Sequence, residues 1–194
     1  MHKICIKNNN YGMKWFITES VYSRGYILDD KGCYIAGRQF NKYLKNIKTE
    51  EELRKLLNDF TGNFAFVIKF SDQEIFAAVD RQRSFPILYL NNESDCFILD
   101  SMQEIPKELL TINEENLWQL SNTICVYNNK TVYNELFQVP PAHYLKVNNG
   151  KPTLVEYYKY SYQNNENIST EELLKRLTEN YERIFQQLIK SLDN

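Results

Sequence analysis

Four cysteines, two histidines and one arginine pair are the residues of this chain whose chemistry stands out. Cys5, Cys33, Cys96 and Cys125 are widely separated, and with His2 and His143 they give no metal-ligand spacing such as two cysteines three positions apart. That distribution predicts free thiols in a reducing compartment, with no metal site. Cys5 falls in the alternating run Ile4-Cys5-Ile6, where it reads as a small buried strand residue. Asp80-Arg81-Gln82-Arg83-Ser84 sets two guanidiniums at a turn. Arg81 and Arg83 could there clamp the carboxylate or phosphate of an anion or partner, or the turn could be held by a salt bridge from Asp80. His143 follows Pro140-Pro141 and has the chemistry of a general base, but no partner stands near it in sequence. Trp15, Trp118 and the tyrosines lie at strand and helix periodicity, which assigns them to core or interface rather than to a ligand cage.

The elements that must position these residues belong to one core. A length of 194 residues with 43% hydrophobic content suffices for a single sizeable domain. The net charge of -2, from 23 basic and 25 acidic residues interspersed, leaves no electrostatic footprint for nucleic acid or an anionic membrane. The opening residues alternate apolar and charged and then run into asparagines, so they carry no secretory apolar stretch, and nowhere is an apolar run long enough to cross a bilayer. The expected location is the cytoplasm.

Short alternating stretches at 4–7, 14–18 and 25–28 predict strands, and 25–28 with 33–36 flank Asp29-Asp30-Lys31-Gly32, a hairpin turn. Thr49-Glu50-Glu51-Glu52 opens a helix by a capping box, with Leu53, Leu56, Leu57 and Phe60 on one face. Buried strands follow at 64–70, 75–79, 87–90 and 96–99. Asn113 is the expected cap of a helix carrying Leu117, Trp118 and Leu120. Strands are then expected at 132–136, 143–147 and 152–157, the last two around Asn148-Asn149-Gly150. The polar segment 163–167 precedes a helix begun by Ser169 with Glu172 three residues on. That helix bears a long apolar stripe, including Leu173, Leu177, Tyr181, Ile184 and Leu188, which must bury against something. A further domain beyond Asn194 is the expected cover, and a homodimer through the helix is the alternative.

The middle of the chain resembles a known family. Residues 57–66, LNDFTGNFAF, followed by Asp80 and then Pro86-Ile87-Leu88-Tyr89, resemble the glutaminase domain of asparagine synthetase-type amidotransferases. Residues 97–101 resemble the strand leading to that family's serine and acid. Residues 139–145, VPPAHYL, resemble its proline-proline-glycine-histidine turn, and Tyr157-Tyr158 resembles its tyrosine-tryptophan close. The resemblance covers about residues 50–160 and implies an α+β, N-terminal-nucleophile-type fold: a four-layer αββα sandwich of stacked antiparallel sheets, reduced in size. It implies a glutaminase-like domain over 1–160, and a linker and helix over 161–194 leading toward a C-terminal synthetase domain, the chain's expected partner. ATP and Mg would belong to that domain, with no cofactor here.

Two departures bear on activity. The family's working glutaminase exposes a cysteine at its mature N-terminus, whose thiolate attacks the glutamine amide. Here His2 follows Met1, and a residue of that bulk should prevent methionine removal. Cys5 would need cleavage after Ile4 to serve. The family's arginine-histidine-arginine-glycine-proline and asparagine-glycine-glutamate segments have no counterpart, with Gly37-Arg38-Gln39-Phe40-Asn41 the nearest fragment. The expectation is a non-catalytic domain that supports or regulates an ATP-dependent, amide-forming partner domain. The alternative is a divergent glutaminase or amidohydrolase using a processed Cys5.

Overall fold

Residues 64–68 dictate the architecture, because they are continuously apolar and cannot face water on either side. Phe64, Phe66 and Ile68 point one way, into a cluster with Phe40, Leu44, Leu53 and Leu57. Ala65 and Val67 point the other way, into a cluster with Ile87, Tyr89, Cys96 and Ile98. One face of the strand therefore meets helices and the other meets a second sheet.

The computed structural model describes residues 2–7, 13–29, 32–91, 96–161 and 168–192. In chain order these form β1 (His2–Cys5), β2 (Phe16–Ile17), β3 (Val21–Leu28), β4 (Tyr34–Ala36), α1 (Gly37–Lys45), α2 (Glu50–Asp59), β5 (Thr61–Lys69), β6 (Glu74–Val79), β7 (Leu88–Asn91) and β8 (Cys96–Leu99). There follow two 3-10 turns (Met102–Glu104 and Lys107–Leu109), α3 (Glu114–Thr123), β9 (Leu136–Gln138), β10 (His143–Asn148), β11 (Lys151–Glu156) and α4 (Thr170–Leu192). The polar segment expected at 163–167, the centre of the 29–32 turn and most of the 91–95 loop lie outside the described residues.

The molecule is α+β, with two stacked sheets. The larger has seven strands in the order β11-β10-β6-β5-β3-β2, and β4 pairs with β3 beside β2. The smaller has the order β1-β8-β7-β9, with β1 parallel to β8 and the other pairs antiparallel. Helices α1 and α2 cover the outer face of the larger sheet. The outer face of the smaller sheet carries its own cluster of Leu90, Leu99, Ile105 and Leu136, in the part of the chain that forms the 3-10 turns.

Close approach between β3 and β5 requires glycine at two facing points. Gly62 has φ 142°, and a Cβ there would collide with the Tyr26 carbonyl; Gly25 has φ 87°, and a Cβ there would collide with the Asn63 carbonyl.

The capping box forms as expected: the Thr49 hydroxyl accepts from the Glu52 amide at 3.2 Å, and the Glu52 carboxylate accepts from the Thr49 amide at 3.2 Å. Asn113 caps α3 by accepting from the Asn116 amide at 2.9 Å. The β10–β11 hairpin turns through Asn149 (φ 50°) and Gly150 (φ 78°).

Two elements differ from expectation. The sequence pattern assigns no element at 37–41, yet these residues open α1, which buries Phe40, Asn41 and Leu44. The Asn41 amide donates to the Phe16 and Val21 carbonyls at 3.1 and 3.3 Å, and Ser23 donates to its side-chain oxygen. Residues 132–136 form no full strand, and β9 begins only at Leu136. The Thr131 hydroxyl donates to the Leu136 carbonyl at 2.7 Å and accepts from the Tyr133 amide at 3.1 Å, so local bonds replace the ladder. Trp15 is core at 3% exposure, whereas Trp118 is 66% exposed.

Helix α4 presents the expected stripe to solvent. Leu173, Leu177, Tyr181, Ile184 and Leu188 are each more than half exposed.

Candidate functional site

The arginine cluster sits where β6 ends. Asp80 is buried, and its carboxylate accepts from three backbone amides: Phe64 at 3.0 Å, Gln82 at 2.8 Å and Ser84 at 3.0 Å. Its carbonyl accepts from the Arg83 amide at 3.0 Å and the Ala142 amide at 3.2 Å. A carboxylate so fully engaged by N–H donors serves as a turn lock. The turn is therefore held by amides, not by the salt bridge that the sequence suggested.

Arg81 reaches back to the end of α2. Its Nη2 donates to the Asn58 carbonyl at 2.8 Å, and its guanidinium carbon lies 3.9 Å from the centroid of the Tyr158 ring. Its Nε is buried without a hydrogen-bond partner. Arg83 is partly buried and held at φ 56°, a left-handed conformation that only the tight Asp80 turn explains. Beside them lies a cleft of about 220 Å³ lined by residues 60–64 and Asp80, Arg81 and Gln82. Its lining mixes polar and apolar groups, with Asp80 and Arg81 both contributing charge; Arg83 does not line it.

His143 is turned to its own chain, with Nδ1 2.8 Å from the Pro141 carbonyl. The preceding Ala142, which occupies the glycine of the turn described above, takes φ 59°. Tyr157 closes this corner: its hydroxyl donates to the Val79 carbonyl at 2.8 Å, and burial pushes its phenol pKa up, with the Asp80 charge adding to the effect. On the same sheet Lys146 bridges Glu50 at 2.7 Å and Glu74 at 3.2 Å, while the Tyr144 hydroxyl donates to Glu50 at 2.6 Å. The hydrogen bonds from Lys146 and Tyr144 hold the Glu50 carboxyl below its ordinary range. This strut ties α2 to β10 and has no free catalytic group.

Cys5 lies elsewhere. On β1 the alternation sends Ile4 and Ile6 between the sheets and sends Cys5 to the outer face of the smaller sheet. There it is half-buried in a recess of about 160 Å³ with Leu90, Phe97, Leu99 and Ile105. The structure does not bring Cys5 together with Arg81 and Arg83, which belong to a different corner. Cys96 is buried between the sheets, where desolvation pushes its thiol up to about 12; Cys33 and Cys125 are exposed, and all four are free. Among the described residues no group of three or more His, Cys, Asp or Glu side chains is placed to hold a metal ion.

Asn58 and Tyr158 as partners of Arg81 were not legible from sequence, because both contacts cross long stretches of chain. Lys3 beside the Cys5 recess was legible in principle, since residues two apart on a strand share a face.

An α+β pair of stacked sheets, a carboxylate-locked turn after a central strand and a proline-proline corner knitted to it define a class of fold rather than an activity. The model of the glutamine amidotransferase domain matches residues 48–158, more than half of the chain, and the chain belongs to that family. The match runs from the residue before the α2 cap to Tyr158, whose ring stacks on Arg81. A comparison with curated proteins gave no match.

Proposed function

We propose that this chain is a non-catalytic, glutaminase-like domain of an asparagine synthetase-related protein that forms amides with ATP. Residues 1–160 make the domain, of N-terminal-nucleophile type, and 161–194 are the linker and helix leading to an adenylating C-terminal domain, which holds the ATP and Mg. The domain supports or regulates that partner in the cytoplasm.

The observation that carries this reading is the placement of Cys5, the thiol that the glutaminase alternative would need. Cys5 faces an apolar recess on the outside of the smaller sheet, with no polar pocket around it among the described residues. The cleft beside Arg81 offers a place for a small anion or a contact from the partner domain. The exposed stripe of α4 supports a covering partner, since apolar rows of that length seldom stay in water.

The test joins intact-mass analysis to a glutamine hydrolysis assay. Retained Met1 with no ammonia released is expected; a chain beginning at Cys5 that releases ammonia would overturn the proposal and establish the glutaminase alternative.

A further inference from the structure

The recess behind β1 has a chemistry of its own beyond the placement of Cys5. Strand pairing sets its floor: Lys3 is opposite Phe97 and Cys5 opposite Leu99, so these four side chains share the outer face of the smaller sheet. Ile105, Pro106 and Leu109, from the segment of the 3-10 turns, wall it above. A short turn covers less area than a helix, and the result is a void of about 160 Å³ where the opposite face of the molecule is filled by phenylalanines.

An enclosed apolar cavity of roughly 150 Å³ takes a guest of about six carbons, and a recess of similar volume open on one side has room for the same body. The lining here is almost wholly carbon and sulfur, and Leu109 at its edge is 53% exposed, so the recess opens to solvent on that side. One charge borders it: Lys3, which is exposed and has no carboxylate partner among the described residues. An unpaired ammonium beside an apolar recess that opens to solvent fits a ligand with two ends.

We propose that the recess binds a short amphiphilic anion, with an apolar body of about six carbons among Cys5, Leu99, Ile105 and Leu109 and a carboxylate at Lys3. The site is independent of any glutamine chemistry, since its walls belong to the outer face of the smaller sheet.

The experiment titrates the full chain with butyrate, hexanoate and hexanol, following binding by calorimetry and by NMR of the leucine methyls. Each methylene buried adds about fourfold in affinity, so hexanoate should bind about fifteenfold more tightly than butyrate. Hexanol should bind several-fold more weakly than hexanoate. Lys3→Gln, an exposed change that leaves the core untouched, should erase the preference for the carboxylate. Cys5→Leu should fill the recess and abolish hexanoate binding while unfolding stays cooperative. No saturable binding of hexanoate to the folded chain, equal affinity for butyrate and hexanoate, or a carboxylate preference that survives Lys3→Gln would each overturn the proposal.

Discussion

The two outer faces of the sandwich are built to different densities. Over the larger sheet two helices bring Phe40, Leu44, Leu53 and Leu57, each fully buried, onto Phe64, Phe66 and Phe76. Phe40 alone meets Phe60, Phe64 and Phe66 edge-on, with centroids 6.1 to 6.2 Å away. Over the smaller sheet two 3-10 turns replace helices and leave a hole. The family match at 48–158 spans both faces: it takes in α2 with β5 and β6, and also β7 to β9 with the 3-10 turns. The difference between the faces therefore lies in what covers each sheet, since helices fill one side and short turns leave the other open.

The largest effect should come from emptying the dense face. Phe40→Ala should cost about 4 kcal/mol in urea unfolding, because its aromatic neighbours cannot collapse into the gap; a loss below about 1 kcal/mol would break the contrast. Asp80→Ala should cost about 3 kcal/mol, since the Phe64, Gln82 and Ser84 amides all lose an ionised acceptor and the first is buried. Chemical denaturation with hydrogen exchange at those amides checks it.

Opposite signs should follow from adding carbon to the two faces. Ala78→Val, in the fully buried helix-facing cluster, should destabilise by about 1 to 3 kcal/mol, whereas Cys5→Val, in the recess, should stabilise by about 1 kcal/mol. Thermal unfolding of both variants compares the faces directly, and equal signs would dissolve the distinction.

The smallest effect belongs to the strut. The Glu50 carboxyl is lowered by its bonds from Lys146 and Tyr144, so its contribution is present above the ordinary glutamate value of about 4.3 and fades as pH falls through the lower folded value. The pair is partly exposed, so Glu50→Gln should cost about 0.5 kcal/mol at pH 7. The gap between variant and parent should narrow in acid; a gap that widens there would assign the stabilisation to something other than charge.

Much of this frame was legible in the residues. Thr49 with Glu52, and Asn113, announce helix starts because capping is local chemistry, and Asn149-Gly150 announces a hairpin because few residues tolerate that turn. The strands expected at 64–70 and 96–99 were plain from their runs of apolar residues. Helix α1 was hidden because its start, Gly37-Arg38-Gln39, has no capping side chain, and only the spacing of Phe40 and Leu44 marked it. The segment after Thr131 was misread because apolar residues there are held by a threonine hydroxyl rather than by a partner strand. The site was least legible. Arg81 was singled out, but its partners Asn58 and Tyr158 lie 23 and 77 positions away, and no local pattern encodes such contacts.

The central claim is that no thiol of this domain attacks glutamine. The most direct measurement is intact mass after incubation of the full chain with a chloroketone analogue of glutamine, which alkylates a cysteine only where a glutamine site presents it. The account expects an unchanged mass at analogue concentrations that saturate a working glutaminase. A single stoichiometric adduct on Cys5, prevented by excess glutamine, would contradict it.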